Sequence, residues 1–277
     1  MDNKILLLGA NGYIGRVFEQ KLPEGSFIKM RYENLSVQNL LNSWALNHFD
    51  TIINCTGHVG ENKDKIVHGN LHAPIVITEF VNIVKELTVL HISSCDMYKN
   101  YNNKTFTEKS KPNNCWSNSS SVNFHAASKA LAEEVVSRYP NHYICRAGIL
   151  FDQIDHPKNY LSKLFSFDRI LNIDNSLSNR QEFVEACIHL LKTKASFGSY
   201  NIVNTGDIDN NSICKLMSKY LKKEFKFYDC VTDYLFSKKQ ENFDHIPSKV
   251  CNDKVLASGA KISETYKSIE QSLKKWR

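Results

Sequence analysis

The apolar run Ile5-Leu6-Leu7-Leu8 passes directly into Gly9-Ala10-Asn11-Gly12-Tyr13-Ile14-Gly15, and no other stretch restricts the fold as tightly. Four consecutive apolar residues closed by a turn signal predict a strand buried on both faces, as in parallel sheets. Three glycines at G-x-x-G-x-x-G spacing then open an apolar helix. Gly9 permits the tight turn, Gly12 lets the main chain approach a phosphate, and Gly15 lets the helix pack closely on the strand. The N–H groups at such a helix start suit a dinucleotide pyrophosphate.

The pattern continues as strands alternating with helices. Strands are expected at 4–8, 27–30, 50–55, 89–93 and 143–146, and helices at 13–22, 36–48, 70–86 and 124–138. Further on, helices are expected near 158–166, 180–193 and 210–221, with a strand near 200–204 returning to the first sheet. This order predicts an α/β chain: a Rossmann-type doubly wound parallel sheet with a smaller C-terminal substrate-binding lobe. The expected division is a dinucleotide-binding domain over 1–147, joined by the return strand, and a substrate lobe mainly over 148–277. A polar loop over 99–121 is long for a compact domain, so a functional or mobile segment is expected there.

Composition removes several classes. There is no apolar run long enough to span a bilayer, and the N-terminus lacks a secretory cleavage pattern. A net charge of +6 is spread along the chain, which suits a phosphorylated ligand without forming a nucleic-acid motif. None of the eight cysteines forms a C-x-x-C pair, and the histidines at 58, 68 and 72 lack a ligand spacing, so no metal is expected. A reducing, cytoplasmic setting fits this cysteine usage.

Several segments in order resemble the extended short-chain dehydrogenase/reductase family over nearly the whole chain. Gly9, Asn11, Gly12, Tyr13, Ile14 and Gly15 match its cofactor turn, and Asn54-Cys55-Thr56-Gly57 its cofactor-side segment after the third strand. Asn70, Ser94 (four residues before Tyr98) and Lys129 match three of its four active-site residues. Segments 157–163 and 170–176 are similar to the subgroup of dTDP-4-dehydrorhamnose reductases and nucleotide-sugar 3,5-epimerase/4-reductases. The resemblance implies a nicotinamide cofactor and a nucleotide-diphosphate sugar as substrate. It also implies Ser94, Cys95, Arg146, Asn159, Asn175 and Arg180 as substrate-side residues, with a salt-bridged structural Arg146 and a small buried Cys95 as the alternatives, and a homodimer built on the helices at 70–86 and 124–138. No nucleic-acid or membrane partner is expected.

The fourth active-site residue departs from the family. The pattern Tyr-x-x-x-Lys reads His125-Ala126-Ala127-Ser128-Lys129 here. Four-residue spacing sets both side chains on one helix face. An imidazole titrates near working pH and can act as a general acid, but its reach is shorter than a phenol's and a nearby ammonium disfavours its charged form. His125 therefore reads as a substitute acid, a substrate contact or the trace of lost chemistry. A second departure lies two residues past Ser94, where epimerising relatives carry Cys: here Asp96 stands there and Cys95 is one residue early. Lys163 matches the lysine that partners this cysteine, so an Asp96–Lys163 pair is a candidate for moving protons beside a ketone.

Cofactor choice rests on the end of the second strand. Arg31 there suits the 2′-phosphate of NADP(H), and Glu33 keeps NAD(H) open. The first expectation is an NADP(H)-dependent reductase of a nucleotide-linked 4-keto-6-deoxy sugar, with epimerase activity rated below simple reduction. The alternatives are a non-catalytic NADP-binding regulatory subunit and an epimerase or dehydratase that recycles its cofactor.

Overall fold

The computed structural model describes residues 4–99, 104–117, 123–238 and 249–276. From the N-terminus come β1 (Ile5–Leu8), α1 (Gly15–Lys21), β2 (Phe27–Met30), α2 (Val37–Asn47), β3 (Thr51–Asn54), α3 (Lys63–Val67), α4 (Ala73–Ile83) and β4 (Thr88–Ser94). Then follow β5 (Thr105–Phe106), α5 (Phe124–Val136), β6 (His142–Ala147), β7 (Ile149–Phe151), α6 (Tyr160–Ser166), β8 (Asp174–Asn175), β9 (Leu177–Asn179) and α7 (Arg180–Thr193). The chain ends with β10 (Gly198–Ile202), β11 (Ile208–Asp209), α8 (Asn210–Leu221), α9 (Val231–Lys238), β12 (Lys249–Val250), α10 (Asp253–Ala257) and α11 (Thr265–Lys274).

Two compact units result. One holds Met1–Met97, Lys111–Arg146 and Cys187–Tyr200; the other holds Tyr98–Ser110, Ala147–Ala186 and Asn201–Arg277. The first holds β1 to β4 and most of β6 and β10, the strands of the central sheet, ordered β10-β6-β4-β3-β1-β2. β1 pairs in parallel with both β2 and β3, and β3 with β4, in registers such as Ile5 opposite Phe27 and Thr51. Parallel neighbours require crossovers, which the helices supply. Leu6, Leu8, Ile52 and Val89 from the strands meet Leu40, Ile77, Phe80 and Val136 from the helices in one buried cluster. Local chemistry sets the helix ends. Ser36 caps α2 by accepting from Asn39 N at 3.2 Å, and Asn123 caps α5 by accepting from Ala126 N at 3.1 Å.

The helix expected over 70–86 differs in form. It ends at Ile83, and a wider π-type turn over His68–His72 joins α4 to the preceding α3. Such single bulges occur often at functional sites. Part of the loop expected over 99–121 is short strand, because Thr105 and Phe106 pair in parallel with Lys249 and Val250. Residues 100–103 and 118–121 lie outside the described residues.

The second unit has its own core, in which Phe151, Leu161, Leu164, Leu177, Ile213, Met217, Ile269 and Leu273 pack together. Its strands are short pairs: β7 with β9 parallel and β8 with β11 antiparallel. Among the described residues no helix is long and apolar enough to cross a membrane.

Candidate active site

The turn after β1 is built for close backbone approach. Gly9 has φ of +74°, and a Cβ there would lie 2.8 Å from the carbonyl carbon and oxygen of Cys55. Gly12 N donates to Gly9 O at 2.9 Å, and a Cβ on Gly15 would collide with that same carbonyl oxygen. Only glycine satisfies both the left-handed φ and the contact at position 9. Gly9→Ala is therefore expected to cost at least about 1–2 kcal/mol in urea unfolding and to weaken dinucleotide binding roughly tenfold or more by calorimetry. Unchanged affinity would show that this turn does not cradle the cofactor.

β3 delivers the second wall. Asn54 is fully buried: Oδ1 accepts from Thr56 N at 3.1 Å and Thr56 Oγ1 at 2.6 Å, and Nδ2 lies 3.0 Å from His91 Nδ1. It shapes the turn from inside instead of touching a ligand. Burial pushes the Cys55 thiol above its ordinary range, so Cys55 contributes backbone rather than chemistry. Gly57, which follows, is exposed. A Cβ on it would lie 3.2 Å from Lys129 Nζ and 3.1 Å from Asn70 Oδ1, so glycine keeps room open over both groups.

α5 carries His125 and Lys129, four residues apart on one face. Lys129 is 6% exposed and its Nζ donates to Ile92 O at 3.0 Å. Burial lowers its pKa to about 8, against the opposing pull of Glu133. His125 Nδ1 lies 3.1 Å from the His58 carbonyl oxygen and 3.3 Å from Asn70 Nδ2. A ring nitrogen facing a carbonyl oxygen must carry hydrogen, since two lone pairs would otherwise oppose each other. The shorter contact, to the His58 carbonyl, favours a neutral ring with its proton on Nδ1 and its lone pair on Nε2. Nε2 is 4.0 Å from Asp96 Oδ2. Burial lowers the His125 pKa, Asp96 raises it, Lys129 lowers it, and the His58 carbonyl raises it; the net direction is down.

Asn70 sits in the π-type turn, 1% exposed. Its Oδ1 accepts from His58 N at 2.8 Å, and its Nδ2 donates to Ser128 Oγ at 2.8 Å and lies 3.3 Å from His58 O. Ser128 Oγ donates in turn to His125 O at 2.7 Å. Asn70 and Ser128 lock the loop carbonyl that orients the imidazole. Ser128 was not singled out from sequence, and its only signal is its place beside Lys129. Ser94 ends β4, half-buried, and its Oγ accepts from Asp96 N at 3.1 Å, which leaves its O–H to donate elsewhere. Arg31 and Glu33 are both exposed directly after β2.

Three expected substrate-side residues have internal partners. Arg146 forms a bidentate pair with Glu133, with Nη2 2.7 Å from Oε2, and both side chains are buried. Arg180 pairs with buried Asp152. Asn159 is fully buried, accepting from Asp152 N and Leu161 N and donating to Asp152 O and Ile154 O. Cys95 is also fully buried. Desolvated polar groups need such partners, so Arg146, Arg180 and Asn159 stabilise the framework. Asn175 is 1% exposed, and its Nδ2 is buried without a hydrogen-bond partner among the described residues. Lys163 is exposed on α6. Among the described residues, no group of three or more His, Cys, Asp and Glu side chains could hold a metal ion.

Comparison with known proteins gives matches of two kinds. The model of the NAD dependent epimerase/dehydratase family matches residues 5–151. A trifunctional UDP-glucose 4,6-dehydratase/UDP-4-keto-6-deoxy-D-glucose 3,5-epimerase/UDP-4-keto-L-rhamnose-reductase of Arabidopsis thaliana is 20% identical over 81% of this chain, which spans only 35% of that protein. Two solved structures share the fold over almost their whole length. The UDP-rhamnose synthase of Acanthamoeba polyphaga mimivirus has a TM-score of 0.81 at 16% identity, covering 98% of this chain and 99% of its own. A dTDP-4-dehydrorhamnose reductase of Bacillus anthracis in complex with NADP has a TM-score of 0.79 at 14% identity, covering 100% and 99%.

Proposed function

The chain belongs to the NAD dependent epimerase/dehydratase family, and from that premise we propose that it is an NADP(H)-dependent reductase of a nucleotide-linked 4-keto-6-deoxy sugar. The observation that carries the reading is the imidazole of His125, tethered through Nδ1 to the His58 carbonyl, with Nε2 as its working atom. The nicotinamide, when bound, supplies the hydride. Gly9, Gly12 and Gly15 would hold the pyrophosphate, Lys129 the ribose next to the nicotinamide, and Arg31 a 2′-phosphate. Ser94 donates its O–H to the ketone oxygen as negative charge builds there. Protonated His125 gives its Nε2 proton to that oxygen. Asn70 fixes the His58 loop and through it the ring.

NADPH consumption with a panel of dTDP- and UDP-linked 4-keto-6-deoxy sugars tests this, and turnover of at least one is expected. Absence of affinity for oxidised or reduced pyridine nucleotide overturns it. The pH profile follows from the direction of the His125 pKa. Only the imidazolium carries a proton on Nε2, and burial holds its pKa below 6.5, so the reductive kcat is expected to fall as pH rises through the acid side of neutrality. Initial rates between roughly pH 5 and 9 check the sign, and a rate that rises across that range contradicts the role.

One observation favours a second reading. A neutral His125 presents a lone pair on Nε2, which accepts a proton from carbon beside a ketone. Solvent deuterium entering the sugar without net oxidation of the cofactor would identify an epimerase.

A further inference from the structure

We propose that Asp96 is the positioning residue of this site, favouring the charged form of His125 and guiding a proton back to Nε2 after each turnover. The inference rests on the reductase reading and adds the means by which an imidazole replaces a phenol there.

The geometry singles out Asp96. Its carboxylate oxygen lies 4.0 Å from Nε2, the nitrogen opposite the one tethered to His58. The Asp96 backbone is held at both ends. Its N–H donates to Ser94 Oγ at 3.1 Å, and its carbonyl accepts from Asn114 Nδ2 at 2.9 Å. Asn114, 4% exposed, accepts through Oδ1 from the N–H of Asn123, the residue that caps α5. The carboxylate and the helix bearing His125 are thus indexed to each other through one buried amide.

Exposure makes the pair directional. The Asp96 side chain is 48% exposed and the His125 side chain 13%. Both ends of the Asn70 amide are engaged, and the Lys129 ammonium, which donates to Ile92 O, is only 6% exposed and so is not the route by which solvent protons arrive. Of the charged and titratable side chains that face the ring among the described residues, Lys129 and His58 oppose a second positive charge and Asp96 favours it, with the His58 carbonyl on the same side as Asp96. In each turnover the Nε2–H bond breaks as an O–H bond forms on the reduced carbonyl. The vacant Nε2 then takes one proton from hydronium or buffer acid arriving along the carboxylate. A pair held at 4.0 Å with one partner 48% exposed contributes modestly to stability, so its effect belongs to protonation and not to folding.

The experiment is a nitrogen-15 NMR titration of the His125 ring in the whole chain, run on wild type, Asp96→Asn and Asp96→Glu. Asp96→Asn is expected to lower the His125 pKa by roughly half a unit to one unit, and Asp96→Glu to restore most of it. The falling limb of the kcat–pH profile for NADPH-dependent reduction should move down by the same amount, with KM nearly unchanged. Asn114→Ala, which loosens the clamp without removing the charge, should give a smaller shift in the same direction, and it serves as the readout if Asp96→Asn folds poorly. A titration curve that does not move in Asp96→Asn overturns the proposal, as does a kinetic limb that stays in place while the ring pKa shifts. A shifted ring pKa in a protein that reduces no keto sugar supports the charge coupling and sinks the reductase reading instead, so the two failures are distinguishable.

Discussion

His125→Ala is expected to lower kcat for keto-sugar reduction by about 10²–10⁴-fold, the usual span of a positioned general acid, while KM for NADPH stays within a few-fold. The split follows from position. The ring contacts the His58 carbonyl and the Asn70 amide, whereas the glycines of the first turn belong to a different wall. His125→Tyr provides the informative contrast. A phenol titrates near 10, far above this imidazole, so it stays protonated across neutral pH. Turnover by the tyrosine variant should hold at pH values where the parent has lost its Nε2 proton, moving the falling limb upward. Lys129 is charged up to about pH 8 and would then set the upper boundary. Steady-state rates of the three proteins across pH decide the matter. If alanine at 125 retains the parental kcat, the imidazole is not the acid, and the reductase chemistry must be assigned elsewhere. If only the tyrosine variant turns over, the parent is a cofactor-binding protein that has lost its reductase activity.

Much of this site was legible in the chain because its elements announce themselves locally. Leu6–Leu8 and Thr51–Asn54 are continuous buried runs, and their short length beside turn residues reads as strands buried on both faces. The glycine turn needs residues of one type at fixed spacing, and α5 carries His125 and Lys129 one helical turn apart. What escaped depends on partners distant in sequence. The π-type turn at His68–His72 carries Asn70, whose side chain bonds to His58 and Ser128; no periodicity reports that. α11 buries Thr265, Ser268 and Ser272 beside only two buried apolar residues, Ile269 and Leu273, so its inward face does not read as apolar. That face is polar because Glu182 accepts from Ser268 Oγ at 2.6 Å and from Ser263 N at 2.7 Å. Arg146 and Arg180 show the ambiguity of a lone cation in a sequence. The same residue type serves a ligand carboxylate or phosphate and a buried structural one, and only the position of Glu133 or Asp152 in space decides between them.

Glu133→Ala is expected to produce the largest loss of stability among these substitutions, about 3–5 kcal/mol in chemical denaturation. Arg146 reaches Glu133 through Nε at 3.0 Å and Nη2 at 2.7 Å, in a pair whose side chains are only 6% and 8% exposed. Removing the carboxylate leaves a guanidinium that cannot neutralise itself and has little water to turn to. The double variant Glu133→Met/Arg146→Met removes both charges at similar volume and should recover most of the loss, which separates the stranded charge from lost packing. The same carboxylate supports the ammonium of Lys129, whose pKa burial has already lowered to about 8. A folded Glu133→Gln protein should therefore lose the Lys129 charge at a lower pH than the parent, and its affinity for NADPH should decline with rising pH from that lower point. Calorimetric titrations at several pH values read this directly. Parallel affinity curves for parent and Glu133→Gln would confine Glu133 to holding β6 against α5, whereas divergence above neutrality would tie the buried pair to the cofactor's lysine.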